Sequence, residues 1–316
     1  MNEILKKYPF IVFSVLLFIV YYINPFHIFV SGNELTFISI ILACLTIELF
    51  IQKAKNGEEI YMRPIAAMKA MEEAVGRATE MGSSVLYVPG ISGLDEIDTI
   101  SGVIVLGHIA GMTAEYEADL HVPCCVPIVM EAAKESCKEA YLKKGRPDLY
   151  NENMVHYVTD DQFAYAAGVN GIMLREKPAA VFYQGKFYAE SLLLAETGSS
   201  IGAIQIAGTG SSSQIPFFVT ACDYVLIGEE FYAASAYLSG SPEMIGSIKG
   251  QDYVKLLCMA FIGLVVIFSI YNSVIYNSVN YFIDLIKFEI PFTNIIVDLP
   301  SISKIDISNI FRMNIK

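Results

Sequence analysis

Long, almost unbroken apolar runs lie towards both ends of this chain, around a middle section where short apolar runs alternate with longer mixed ones. The long runs are Tyr8 to Val30 (YPFIVFSVLLFIVYYINPFHIFV), Leu35 to Ile51 (LTFISIILACLTIELFI) and Tyr253 to Ile270 (YVKLLCMAFIGLVVIFSI). A bilayer core takes about 20 apolar residues as helix, so all three predict membrane spans. The first two are joined by Ser31-Gly32-Asn33-Glu34 and read as a helical hairpin. A signal peptide is the alternative for the first run, but no small-residue cleavage site separates it from the second.

The middle section has a different rhythm. Six runs predict strands: 84-SVLYV-88, 119-DLHVP-123, 154-MVHYV-158, 179-AAVFY-183, 203-AIQIA-207 and 223-DYVLI-227. Helical patterns separate them, near Asp95–Glu117, Pro127–Lys144, Asp160–Arg175, Ala189–Thr197, Ser213–Ala221 and Glu229–Leu238. A further helix over 64–82 precedes the first strand, with Pro64 at its start and Gly82 at its end. Apolar strands alternating with helices predict a mainly parallel sheet covered on both faces. The expected fold is therefore α/β, doubly wound and Rossmann-like, carried by transmembrane helices. Expected limits are 1–55 for the hairpin, 56–250 for the α/β domain, 251–272 for the third span and 273–316 for the tail. Helix Asp95–Glu117 is acidic at its start and apolar nearly all round, which predicts burial in the domain or a subunit interface.

Charge and composition add an orientation. Of the 316 residues 54% are hydrophobic, and mean hydropathy is +0.48, a value that calls for segments in lipid. Lys6, Lys7, Lys53, Lys55, Arg63, Lys249 and Lys255 flank the spans, while the hairpin turn carries Glu34 and no cation. The positive-inside rule then puts the middle domain in the cytoplasm, at the inner membrane, with the tail on the outer side. A net charge of −12 argues against nucleic acid as a partner. Six cysteines without a CxxC pair fit a reducing compartment; adjacent Cys124-Cys125 read as buried thiols in preference to a metal-ligating pair or a strained disulfide, and no metal site is expected. Glu48, near the cytoplasmic end of its span, is expected to snorkel. His108 is expected to be a satisfied core residue.

Candidate chemistry lies at the carboxyl ends of the strands, where open parallel sheets bind ligands. The candidate crevice comprises Gly90, Ser92, Asp160, Asp161, Lys186, Glu190, Gly208, Thr209, Gly210, Ser211 and Glu229. The stretch 207-AGTGSSSQ-214 lacks the lysine of an NTPase phosphate loop and has Ser213 where a dinucleotide fingerprint wants Gly or Ala. Two readings stay open for it: an anion site at a helix N-terminus, or a helix capped by one serine. Asp160, Asp161, Glu229 and Glu230 read as caps and dipole partners or, if they converge, as oxygen ligands for a divalent cation. Lys186 is either an anion ligand or a snorkelling surface lysine.

RPIAAMKAMEEAVGRATEMG, VLYVPGISGLD, DDQFAYAAGVNGIMLREKPAA, YAESLLLAETGSSIGAIQIAGT and ACDYVLIGEEFYAASAYLSG, spread over 63–250, resemble a prokaryotic membrane-anchored family with a domain of unknown function. That resemblance implies a cytosolic domain followed by a span, and no activity, cofactor or catalytic residue. The tail, with its tandem IYNSV (270–274, 275–279), reads as an interfacial helix or a β-prone partner segment. The function expected is an oligomeric, membrane-anchored scaffold or small-anion sensor. The alternative is an enzyme acting on a nucleotide or phosphorylated lipid precursor, with Lys186, Glu190, Thr209 and Ser211 on phosphate and Asp160 or Glu229 holding Mg²⁺. A transporter or channel is a third reading, weakened by few spans and a single intramembrane charge.

Overall fold

The computed structural model describes residues 34–289 apart from 59 and 62–64, with side chains described over 36–278. The expected span Tyr8–Val30, the helix start at Pro64 and the chain beyond 289 lie outside the described residues. The chain divides into two compact units, one holding residues 53–248 and the other the segments before and after it.

Unit 53–248 is built on a six-stranded sheet: β1 (Val85–Val88), β2 (Leu120–Cys124), β3 (Val155–Tyr157), β4 (Ala180–Gln184), β5 (Ile204–Thr209) and β6 (Tyr224–Ile227). Their order is β3-β2-β1-β4-β5-β6 and every pairing is parallel. All six lie where the short apolar runs predict them. The central register aligns Val85 to Val88 with Ala180 to Tyr183, and Ala180 to Gln184 with Ile204 to Gly208. Strand order reverses between β1 and β4.

Alternation along each strand feeds two cores. Val85 and Tyr87 of β1 face one core with Phe182, Ile206 and Leu226. Helices α2 (Ala66–Glu80), α3 (Ile97–Tyr116), α4 (Pro127–Lys143) and α8 (Glu229–Ser239) cover that face. Leu86, Val88, Val181, Tyr183 and Ala207 point the other way, under α5 (Gln162–Glu176), α6 (Glu190–Ser200) and α7 (Ile215–Ala221). A two-residue side-chain period puts neighbours on opposite faces, which is why these strands are apolar throughout. Cys124 and Cys125 follow the same rule: one belongs to each core, and both are free thiols.

Three described helices are long and apolar enough to cross a membrane: α1 (Glu34–Lys55), α3 and α9 (Pro242–Glu289). They differ in what surrounds them. The apolar window of α3 is 67% buried, enclosed among α2, α4, α8 and the sheet. Those of α1 and α9 are 6% and 0% buried, so their side chains need lipid as solvent.

In the unit that contains most of α1 and α9, a Cβ added at Gly250 would lie 2.6 Å from the Ile47 Cα, so the two backbones touch there. Phe50 stacks on Tyr253 with ring centroids 4.5 Å apart. Glu48 does not snorkel. It is 7% exposed and accepts a 2.8 Å hydrogen bond from Gln52 Nε2, one turn along. A neighbouring amide meets the polar demand of this carboxylate locally. The helix α9 also runs on past Ile270 through both IYNSV copies to Glu289. No Gly or Pro lies between Gly263 and that end to stop it, so this part of the tail is helical rather than β-structured.

Candidate functional site

The expected residues at the carboxyl ends of the strands can be described as three sets of contacts. The central group lies where strand order reverses. Gly90 leaves β1 at φ +80, and a Cβ there would sit 2.5 Å from the Lys186 carbonyl oxygen. Gly185 leaves β4 at φ +144 against the Pro89 carbonyl, and the Ile91 N–H donates to the Lys186 carbonyl at 3.1 Å. Only glycine fits such facing turns, and together they zip the two loops shut.

Helix α3 closes this group from one side. Its Gly102 lies under the Gln184 carbonyl, where an added Cβ would approach to 2.5 Å. Its amino end, the natural seat for an anion, is flanked by the chain's own carboxylates. Glu96 Oε1 accepts from Lys186 Nζ at 2.5 Å, an ion pair that holds the lysine pKa above its ordinary value. Lys186 is thus held by a carboxylate of the same chain. Its Nζ lies 5.8 Å from the Tyr188 ring centroid. Ser92 contributes its carbonyl, which accepts from Thr99 Oγ1 at 3.4 Å.

A second group surrounds the glycine-rich turn after β5. Asp98, 6% exposed, accepts from Tyr232 Oη at 2.5 Å. Burial and the Asp98 carboxylate push the Tyr232 phenol well up, so it stays a donor. Gly210 passes directly against this pair, and Gly208 against the Gln184 amide. The Gln184 Oε1 is buried without a hydrogen-bond partner, while its Nε2 donates to the Ile206 carbonyl at 3.1 Å. Thr209 is fully buried and accepts from the Ser211 N–H at 3.2 Å. Ser211 and Ser213 hydroxyls lie 3.2 Å apart. No serine caps α7: the residue before its first turn is Gln214, and its side chain makes no capping bond. The serines instead bond each other and Gln214, and Gln214 Oε1 accepts from Ser191 at 2.7 Å.

The third group is acidic. Asp161 caps α5 by accepting from the Ala164 N–H at 2.8 Å. Glu190 is fully buried in the first turn of α6, where it accepts from the Tyr188 N–H at 2.8 Å and from Gln162 Nε2 at 2.5 Å. Asp160 is exposed. All three carboxylates act on the Cys125 thiol, which burial and their charge push up to about 11. Such a thiol is protonated at neutral pH and is no nucleophile. Glu229 lies in the first turn of α8. Among the described residues, no three His, Cys, Asp or Glu side chains are placed to hold a metal ion.

A family model described as Domain of unknown function (DUF6754) matches residues 26–280. The chain belongs to this family. Nothing among the curated proteins and no solved structure matches it. The match takes in α1 through most of α9, so the DUF6754 domain includes these two long apolar helices as well as the sheet. Sequence reasoning missed three residues that shape the site of this DUF6754 member: Glu96, Asp98 and Tyr232. The signal for the first two was present in the acidic start of α3, which explains itself as a response to the helix dipole and so attracts no further notice. Tyr232 carries no local signal, because its partner lies 134 residues away.

Proposed function

We propose that this chain is a membrane-anchored α/β module that works by binding and self-association rather than by chemistry on a phosphorylated substrate. One observation carries the reading: where an anion would sit beyond β1 and β4, Glu96 already neutralises Lys186, and Asp98 stands in the first turn of α3. An incoming phosphate would meet carboxylates and would have to break an ion pair. The assembly half of the proposal draws on Phe163, Leu174, Leu192, Leu193, Phe217 and Val219, all exposed on the neighbouring helices α5, α6 and α7. The proposed setting is the cytoplasmic face of the inner membrane, with Lys53 and Lys55 in the last turn of α1 on that side.

The strand order supports a second reading. Order β3-β2-β1-β4-β5-β6 is that of doubly wound, Rossmann-like folds that bind nucleotides at the reversal point. In that reading a nucleotide would displace Glu96 from Lys186 and lie along Gly208-Thr209-Gly210. The full chain in detergent decides between them. Thermal midpoints are measured against ATP, NAD and inorganic phosphate, with and without Mg²⁺, and particle mass by light scattering. The binding-module reading expects no saturable shift and a mass above one copy. A saturable shift with any nucleotide establishes the second reading, and a single-copy mass removes self-association.

A further inference from the structure

A cavity of about 300 Å³ opens at the other end of the sheet, at the amino ends of β2 and β3. The carboxyl end of α3, the inner face of α4 and the turn over 147–154 enclose it. Leu149 and Met154 give it apolar lining, and His121, Asn151 and Asn153 polar lining. Tyr141 forms a wall, set by its hydroxyl 3.3 Å from Thr113 Oγ1 and by an edge contact with Tyr150 at 6.0 Å. Glu117 and Asp119 form the rim. Glu117 closes α3 in the left-handed conformation, φ 57, and this sharp exit directs both carboxylates' backbone around the opening.

Charge at this rim is unbalanced. Lys144 pairs with Glu115 at 2.5 Å, Arg146 with Glu117 at 2.6 Å and Asp148 at 3.5 Å, and His121 with Glu176 at 3.3 Å. The neighbouring Lys144 and Arg146 are thus matched. Asp119 is exposed, and its carboxylate has no hydrogen-bond or ion-pair partner among the described residues. The carboxyl end of α3 adds the negative pole of the helix dipole. An anion is repelled here, and a bare metal ion would find no ligating trio among the described residues.

We propose that this cavity binds a small organic cation, a protonated primary amine on a short aliphatic chain, with its ammonium at Asp119 and its hydrocarbon on Leu149 and Met154. The volume, at the lower end for ligand pockets, suits a chain of a few carbons. The site is separate from the strand carboxyl ends and does not rest on the function proposed above.

The test is titration of the full chain in detergent at pH 7 and constant ionic strength with n-butylammonium, read as thermal midpoint. Wild type shows a saturable rise; Asp119→Asn weakens the apparent affinity at least tenfold, and Leu149→Trp, which fills the cavity, abolishes the rise. Each variant is compared with its own ligand-free midpoint, so loss of stability is not mistaken for loss of binding. 1-Butanol and MgCl₂ serve as the uncharged and inorganic arms. Absence of a saturable rise in wild type, an equal rise in Asp119→Asn, or reproduction of the rise by 1-butanol or MgCl₂ overturns the proposal.

Discussion

Three buried tyrosines fasten helices to the sheet through their hydroxyls. Tyr87 donates to the Gly102 carbonyl of α3 at 2.5 Å, Tyr165 to the Pro123 carbonyl of β2 at 2.8 Å, and Tyr183 bridges the Leu194 carbonyl and Gln205 Oε1, each at 3.0 Å. Burial pushes all three phenols well above their ordinary pKa, so they remain donors at any pH the fold tolerates. Tyr165→Phe leaves the Pro123 carbonyl without this partner and is expected to cost about 1–3 kcal/mol, measured by denaturant unfolding of the intact chain. His108 gives the residue-level pH prediction. Half-buried between Glu72 and Lys144, its pKa is lowered from 6.5, with burial the leading cause. The unfolded chain then binds the proton more readily, so this contribution to stability is whole above about pH 6.5 and falls away as pH drops towards the depressed folded value. His108→Gln flattens that acid loss, and midpoints compared at pH 7.5 and 5.5 check it. At this scale the legible roles were those that reach only a few residues. The Asp161 cap, one turn from the Ala164 N–H that donates to it, is such a case. Lys186 was not legible, because its meaning comes from Glu96, 90 residues away.

Elements show the same division by range. Each strand announces itself by a short apolar run, and β1, β4 and β5 need no alternation because both faces are covered. Parallel pairing follows from the intervening helices, whereas the order β3-β2-β1-β4-β5-β6 is a non-local choice no local pattern encodes. The serines after β5 mislead for a related reason. Ser, Thr, Asn and Asp favour helix starts on average, but here they are drawn into bonds with Gln214 and with each other. The seat of α3 on the sheet is the most exacting element contact. Gly102→Ala drives a methyl to 2.5 Å from the Gln184 carbonyl, where only backbone could yield. Overpacking of this kind costs about 1–3 kcal/mol. The expected result is a lowered thermal midpoint, while Gly76→Ala in α2, where an added Cβ meets nothing within 4 Å, leaves the midpoint unchanged or raised.

For the molecule as a whole, lipid-facing and enclosed helices are distinguished by surroundings rather than by composition. Gly250 lets α1 and α9 touch, as small residues do wherever apolar solvent gives helices no other reason to associate. Gly250→Leu is expected to separate them, and loss of a short-span chemical cross-link between cysteines placed at Phe50 and Tyr253 reports it. The span predicted at Leu35–Ile51 and that at Tyr253–Ile270 both reappear inside α1 and α9, while α3 passes the same length and hydropathy test without facing lipid. That coincidence sets a problem for the nascent chain. As it leaves the ribosome, α3 looks to an insertion machinery much like its two neighbours, yet diverting it into the bilayer would strip the sheet of a central cover and invert everything downstream. Acidic residues stand at both its ends, Asp95, Glu96 and Asp98 at the start and Glu115, Glu117 and Asp119 at the finish, and none of the cations that flank α1 and α9 is there.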